Sequence, residues 1–231
     1  MRDTNWSRCS SAALPGLRVL IDNTSTSENL ESAPDHLSKA RVSAYPADRH
    51  DVITAAASAL LETWPQAYAD WRSTLRVVVP RRPPSGWRME GFTRSCMQGA
   101  VWINPSNLLT AFESLVHEQS VVKLRYIEEI APILQKEQPD SRFGVAWRND
   151  APPVTGIFEA AYAHIHCLLA LERYLCNGMA RELRGVASTR LGELNRYASE
   201  SLSLLRLHGH FTDAGRGFLH WAEKSLQLVA Q

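Results

Sequence analysis

The residues best suited to chemistry in this chain open the run His117-Glu118-Gln119-Ser120-Val121-Val122-Lys123-Leu124. A metal-binding HExxH helix places two imidazoles four residues apart, one turn up the same face. Both then reach one metal ion, and the glutamate between them can act as base. Here the first histidine and the glutamate stand, and Val121 occupies the place of the second ligand. Valine has no donor atom. Whether the chain can be a metalloenzyme therefore turns on this one position.

Other reactive residues are more dispersed. His164 lies in an apolar run, where a hydrogen-bonded core histidine is the ordinary reading. His166 points in a different direction on the same helix. His208-Gly209-His210 reads as a helix end, since two histidines do not complete a zinc site. Arg81-Arg82 reads as a solvated loop, too small a basic step for a nucleic-acid patch. Trp64, Trp71, Trp102 and Trp221 read as core or groove aromatics. Trp87 and Trp147 fall in loops, from which they could line a peptide cleft. The chain contains no G-x-S-x-G elbow, Walker A loop or G-x-G-x-x-G turn. A zinc-peptidase reading meets the same obstacle at Val121.

The elements that must position these residues follow from periodicity. Residues 1–45 are polar and read as an N-terminal arm, partly irregular, with Leu17–Ile21 as its one short strand. Residues 46–231 read as a single helical domain. Val52, Ile53, Ala56, Ala59, Leu60 and Trp64 recur at helical spacing, and Pro65 breaks or kinks that helix. Leu75–Val79 is a β-branched run closed by Pro80, and Ala100–Ile103 is a second strand closed by Asn104-Pro105. Ser106 or Asn107 can cap a helix running to about Gln135, with the His-Glu pair at its middle. An irregular connection spans Pro139 to Pro153. A long apolar helix covers Val154 to Leu183, and two more cover about 189–207 and 213–229, the last capped by Thr212 or Asp213. The predicted fold is mainly α (α+β), a helical domain with a small sheet packed against the long motif-bearing helix.

Composition bounds the function. At 231 residues, with 45% hydrophobic content, the chain can bury its own core without a structural metal or disulfide. A net charge of +1 predicts no nucleic-acid partner and no pull toward an anionic membrane. No apolar run approaches the roughly 20 residues of a membrane span, and no secretory signal is expected at the N-terminus. Cys9, Cys96, Cys167 and Cys176 show no CxxC spacing and read as free thiols. The expected compartment is the cytoplasm.

The motif segment, Ser114-Leu115-Val116-His117-Glu118-Gln119-Ser120-Val121-Val122-Lys123-Leu124, resembles the HExxH-motif peptide-modification proteins, whose motif usually reads LVHExxHxKL. Three flanking segments are similar to that family in the same order. Ser95–Ile103 is similar to the strand ahead of the motif helix. Ala146-Trp147-Arg148-Asn149-Asp150-Ala151-Pro152-Pro153 is similar to PWRxDPRP, and the following helix carries Tyr162-Ala163-His164. Phe211–Leu219 is similar to LTPxGRxFL. The match spans about residues 50–220.

The resemblance implies a non-haem Fe(II)/2-oxoglutarate-dependent oxygenase. It would hydroxylate a peptide or carrier-bound amino-acid residue in bacterial natural-product biosynthesis. The family's metal ligands fall on His117, on the position of Val121, and on His164. The family's catalytic glutamate falls on Glu118. Lys123 and Arg148 are matched basic residues that could pair with a carboxylate of 2-oxoglutarate, a task suited to an arginine fork.

Val121 leaves three outcomes open. Another side chain substitutes, with Glu113, Glu159 and His166 as the nearby choices in sequence. Alternatively iron binds through His117 and His164 alone, with an extra open position. In the third outcome the metal is lost and the scaffold is a degenerate member that binds a precursor peptide or partner enzyme. Losing one ligand of a site with few ligands should weaken iron affinity severely.

Overall fold

A computed structural model of the protein describes residues 10–21, 43–44, 49–82, 91–93 and 97–229. The chain is mainly helical with a small mixed sheet, and it divides into two compact units, Met1–Gln119 and Ser120–Gln231.

The first unit holds the sheet. Strands β1 (Ser10–Leu14) and β2 (Leu17–Ile21) form an antiparallel hairpin across Pro15-Gly16. Proline presets a negative φ and Gly16 takes a φ of +65°, the combination of a type II turn. The polar reading of the N-terminal segment foresaw β2 but not β1. Ser-Ser-Ala-Ala-Leu has little β-branched content, and it is a strand because β2 offers it a partner. In β2, burial alternates from Leu17 to Ile21, so one face meets the core.

Two helices separate β2 from its parallel neighbour. Helix α1 (His50–Thr63) buries Ile53, Ala56, Ala57, Ala59 and Leu60. It stops at Trp64, and Pro65 opens α2 (Pro65–Thr74), where its missing N–H costs nothing. Tyr68 and Trp71 are buried, and the Tyr68 hydroxyl donates to the Pro15 carbonyl at 2.9 Å. Burial raises the Tyr68 pKa.

Strand β3 (Ser43–Ala44) pairs antiparallel with the end of β4 (Val77–Arg82), and β5 (Gly91–Thr93) pairs antiparallel with β6 (Ala100–Ile103). The order is β1-β2-β4-β6-β5, with β2, β4 and β6 mutually parallel and β3 beside β4. Every residue of β6 is buried, as a short apolar strand between two neighbours requires.

Pro80 does not close β4, as the sequence had indicated; the strand runs on to Arg82. The described β2 pairing ends at Ile21↔Val78, before Pro80, while Pro80 stays in register with Ile103 of β6. Arg81 is consequently a strand residue with 6% exposure, and its guanidinium lies 4.6 Å from the Phe92 ring centroid. The solvated-loop reading of Arg81 is thereby corrected.

Helix α3 (Leu108–Ile130) carries the motif, and the division between the units falls within it. Asn107 caps it, with Oδ1 accepting from Thr110 N at 2.9 Å. It ends at Ile130, short of the predicted Gln135. Pro132 has no N–H to extend the ladder, and its ring would clash with the preceding turn.

In the second unit, α4 (Val154–Asn177), α5 (Arg181–His208) and α6 (Asp213–Val229) pack together. The predicted helix to Leu183 is in fact two helices. Gly178 and Met179 both donate to the Tyr174 carbonyl, at 3.1 and 3.0 Å, and end α4. The Asn177-Gly178 stop was overlooked because apolar periodicity resumes beyond it. Helix α4 has the length and hydropathy of a membrane span despite its scattered polar residues, and 72% of its apolar window is buried in the protein. Thr212 caps α6, its hydroxyl accepting from Gly215 N at 3.1 Å while donating to the Pro132 carbonyl at 2.6 Å.

Candidate functional site

Each motif residue takes its setting from the helix face it occupies. His117 is half-buried on α3. Glu118 is 4% exposed and lies over Gly91, the first residue of β5. A Cβ at Gly91 would stand 2.8 Å from Glu118 Oε1 and 2.6 Å from the Trp102 carbonyl oxygen. Only glycine leaves room for the carboxylate to seat against the strand. Gln119 is buried beside it on α3 and donates from Nε2 to the Thr74 hydroxyl, which in turn donates to the Asp70 carbonyl at 2.8 Å. The polar side of the motif is thus closely packed against the end of α2 and the edge of the sheet.

Val121 is 2% exposed, and Val122 and Leu124 are buried with it. The position that would carry a second imidazole is part of the hydrophobic interior. Lys123 is half-buried on the same helix.

The remaining candidates lie in the second unit. His164 is buried on α4, and its ring meets two others: Trp147 edge-on at 5.3 Å and Tyr197 of α5 at 5.6 Å. Trp147 and Tyr197 are themselves 6.0 Å apart. Two segments separated in sequence, Trp147–Asp150 and Tyr162–His164, therefore converge here. Tyr197 escaped the sequence reading, because nothing local distinguishes it from other helical tyrosines. Arg190 and Arg196 stand 5.8 and 5.2 Å from its ring centroid.

Arg148 makes a two-pronged ion pair with Asp150, Nε to Oδ1 and Nη2 to Oδ2, both at 2.7 Å. A ligand carboxylate reaching this guanidinium would have to compete with Asp150 for the same fork. His166 is half-buried; its Nδ1 lies 2.8 Å from the Tyr162 carbonyl oxygen and its ring packs on Tyr162 and Trp221. His208 packs on Phe143, and His210 Nδ1 lies 3.1 Å from the Glu137 carbonyl oxygen, consistent with a helix end. Cys167 is buried and Cys176 exposed, neither in a disulfide; Cys9, Cys96 and Trp87 lie outside the described residues.

Among the described residues, no group of three or more His, Cys, Asp or Glu side chains is placed to hold a metal ion. Val121 offers no donor, and Glu118 is packed against Gly91. The described residues do not fit a three-ligand Fe(II) centre. Compared with known proteins, the chain matches no family model and no curated protein sequence.

Proposed function

We propose that this chain binds a peptide or a partner enzyme without holding iron, on a scaffold resembling that of the peptide-modifying proteins. The burial of Val121 at 2% exposure carries the reading. A ligand position left open for an exogenous donor would be lined by polar groups or reached by solvent. Here it is occupied by a core side chain, so a water or a second small ligand does not replace the missing imidazole there. The peptide or partner enzyme as the bound species rests on the resemblance of the four sequence segments.

A second reading is favoured by the convergence of Trp147 and His164. It is a 2-oxoglutarate/Fe(II)-dependent oxygenase acting on a peptide or carrier-bound residue, with His117 and His164 as ligands, Glu118 as the catalytic glutamate, and Lys123 and Arg148 receiving 2-oxoglutarate. Iron would supply dioxygen activation in such a protein. The competition between Asp150 and a ligand for Arg148 weighs against this reading.

Metal analysis of protein purified without oxygen separates the two. The binding reading expects iron well below one equivalent per chain, with no rise on adding Fe(II) and 2-oxoglutarate. One equivalent of iron that disappears in both His117→Ala and His164→Ala would overturn it in favour of the oxygenase. Val121→His is the converse variant. On the binding reading it creates iron affinity that the parent lacks, or fails to fold because an imidazole is forced into the core.

A further inference from the structure

We propose that residues 143–152 form a lid over α4, with the Trp147 ring as the plug that covers His164. The base of this loop is pinned. Arg142 and Pro153 form an antiparallel bridge, Phe143 N donates to the Pro152 carbonyl at 3.1 Å, and Arg142 Nη1 donates to the Ala151 carbonyl at 3.2 Å. The ends of the loop are therefore held together beside the start of α4, as in a compact Ω-type loop.

The tip is built differently from the base. Ala146, Asn149 and Asp150 are exposed, and the Arg148–Asp150 fork closes the tip upon itself. From this polar tip one large apolar side chain turns inward. The Trp147 ring sits edge-on against His164 and tilted against Tyr197, and Ala146 N donates to Glu200 Oε2 of α5 at 3.4 Å. His164 is 7% exposed, whereas Trp147, which packs edge-on against it, is half-buried.

A pinned base with a self-closed tip can open locally when the aromatic contacts of the plug and the Ala146–Glu200 hydrogen bond separate together. Opening would present His164 and Tyr197 as the floor of a site, with Arg196 at its rim. The inference concerns access to His164 and holds whether or not the chain carries iron.

Diethylpyrocarbonate acylation of the full chain, read histidine by histidine by mass spectrometry, tests it. Exposed His220 serves as the fast reference, and half-buried His166, whose ring packs against Trp221, as the internal control. In the parent, His164 should react at least ~10-fold more slowly than His220, as expected of a group reached through local opening. Trp147→Ala should bring His164 close to the rate of His220 and leave His166 unchanged, and Trp147→Phe should restore protection. His164 still protected in Trp147→Ala would overturn the lid. So would simultaneous loss of protection at His164 and His166, which would make Trp147 a general core anchor. Native-state hydrogen exchange of the parent keeps the proposal falsifiable if Trp147→Ala does not fold. Amides of 146–150 should exchange at least ~10-fold faster than those flanking His164 on α4, and equal rates would overturn the lid.

Discussion

At Gly91 the fold depends on the absence of a side chain. The space for a Cβ there is already taken by Glu118 Oε1 and by the Trp102 carbonyl oxygen, and the second of these is backbone that cannot rotate away. Gly91→Ala should therefore destabilise the protein by about 1–3 kcal/mol, the usual cost of overpacking a closed contact. Urea unfolding at constant m-value measures it, and an unchanged midpoint would show that β5 shifts freely. The sequence carries no sign of this contact at Glu118. The His-Glu dipeptide is the same whether its carboxylate faces a metal or an edge strand. Only the position of Gly91, brought in by the β5–β6 pairing, distinguishes the two. Val121 is the contrasting case. Its chemical incapacity was legible from its identity alone, and the structure added that the position is closed.

At the scale of elements, the starts of α3 and α6 were legible because their signals are local, whereas α5 begins at Arg181, ahead of the expected start at about 189, with no side-chain cap to mark it. Asn107 and Thr212 cap with their own side chains, and Pro65 opens α2. Helix ends were misjudged where apolar spacing continued past Pro132 or Gly178, since periodicity is blind to the loss of a single backbone hydrogen bond. Charge between elements was not legible at all. Within the second unit, Arg125 Nη2 lies 3.9 Å from Glu159 Oε2, and the Glu128 carboxyl is pushed above its ordinary value. Burial is the main cause, the Glu159 charge adds to it, and Arg125 pulls the other way. A carboxyl with a raised folded-state pKa binds its proton more readily in the native state. Its ionisation therefore lowers stability as pH rises from the ordinary value of 4.5 through the raised one. Glu128→Gln should raise the melting temperature near pH 7, by less than ~1 kcal/mol equivalent because the partly exposed charge is screened. The advantage should vanish near pH 3, where the parent's carboxyl is protonated in both states. An advantage equal at both pH values would rule out this account.

At the scale of the whole molecule, the expectation is a core that closes without a structural metal. Apolar side chains from the sheet and from the helices are buried in both units, and 231 residues suffice to close such interiors unaided. Adding a chelator should shift the melting temperature by less than ~1 °C, since a ligand that stabilises the native state betrays itself through mass action. A larger fall would reveal a structural metal and contradict the packing. The sequence by itself determined the helical character, the boundaries of β2 and β6, the capped starts of α3 and α6 and the loss of a donor at position 121. These follow from periodicity, turn chemistry and side-chain identity, all of which act over a few residues. Tertiary structure alone decided that β1 is a strand, that Arg81 is buried, that Glu118 rests on Gly91, and that Trp147 packs against His164. Each of those depends on groups far apart in the chain. Their meeting is set by sheet register and helix packing, which no short stretch of residues encodes.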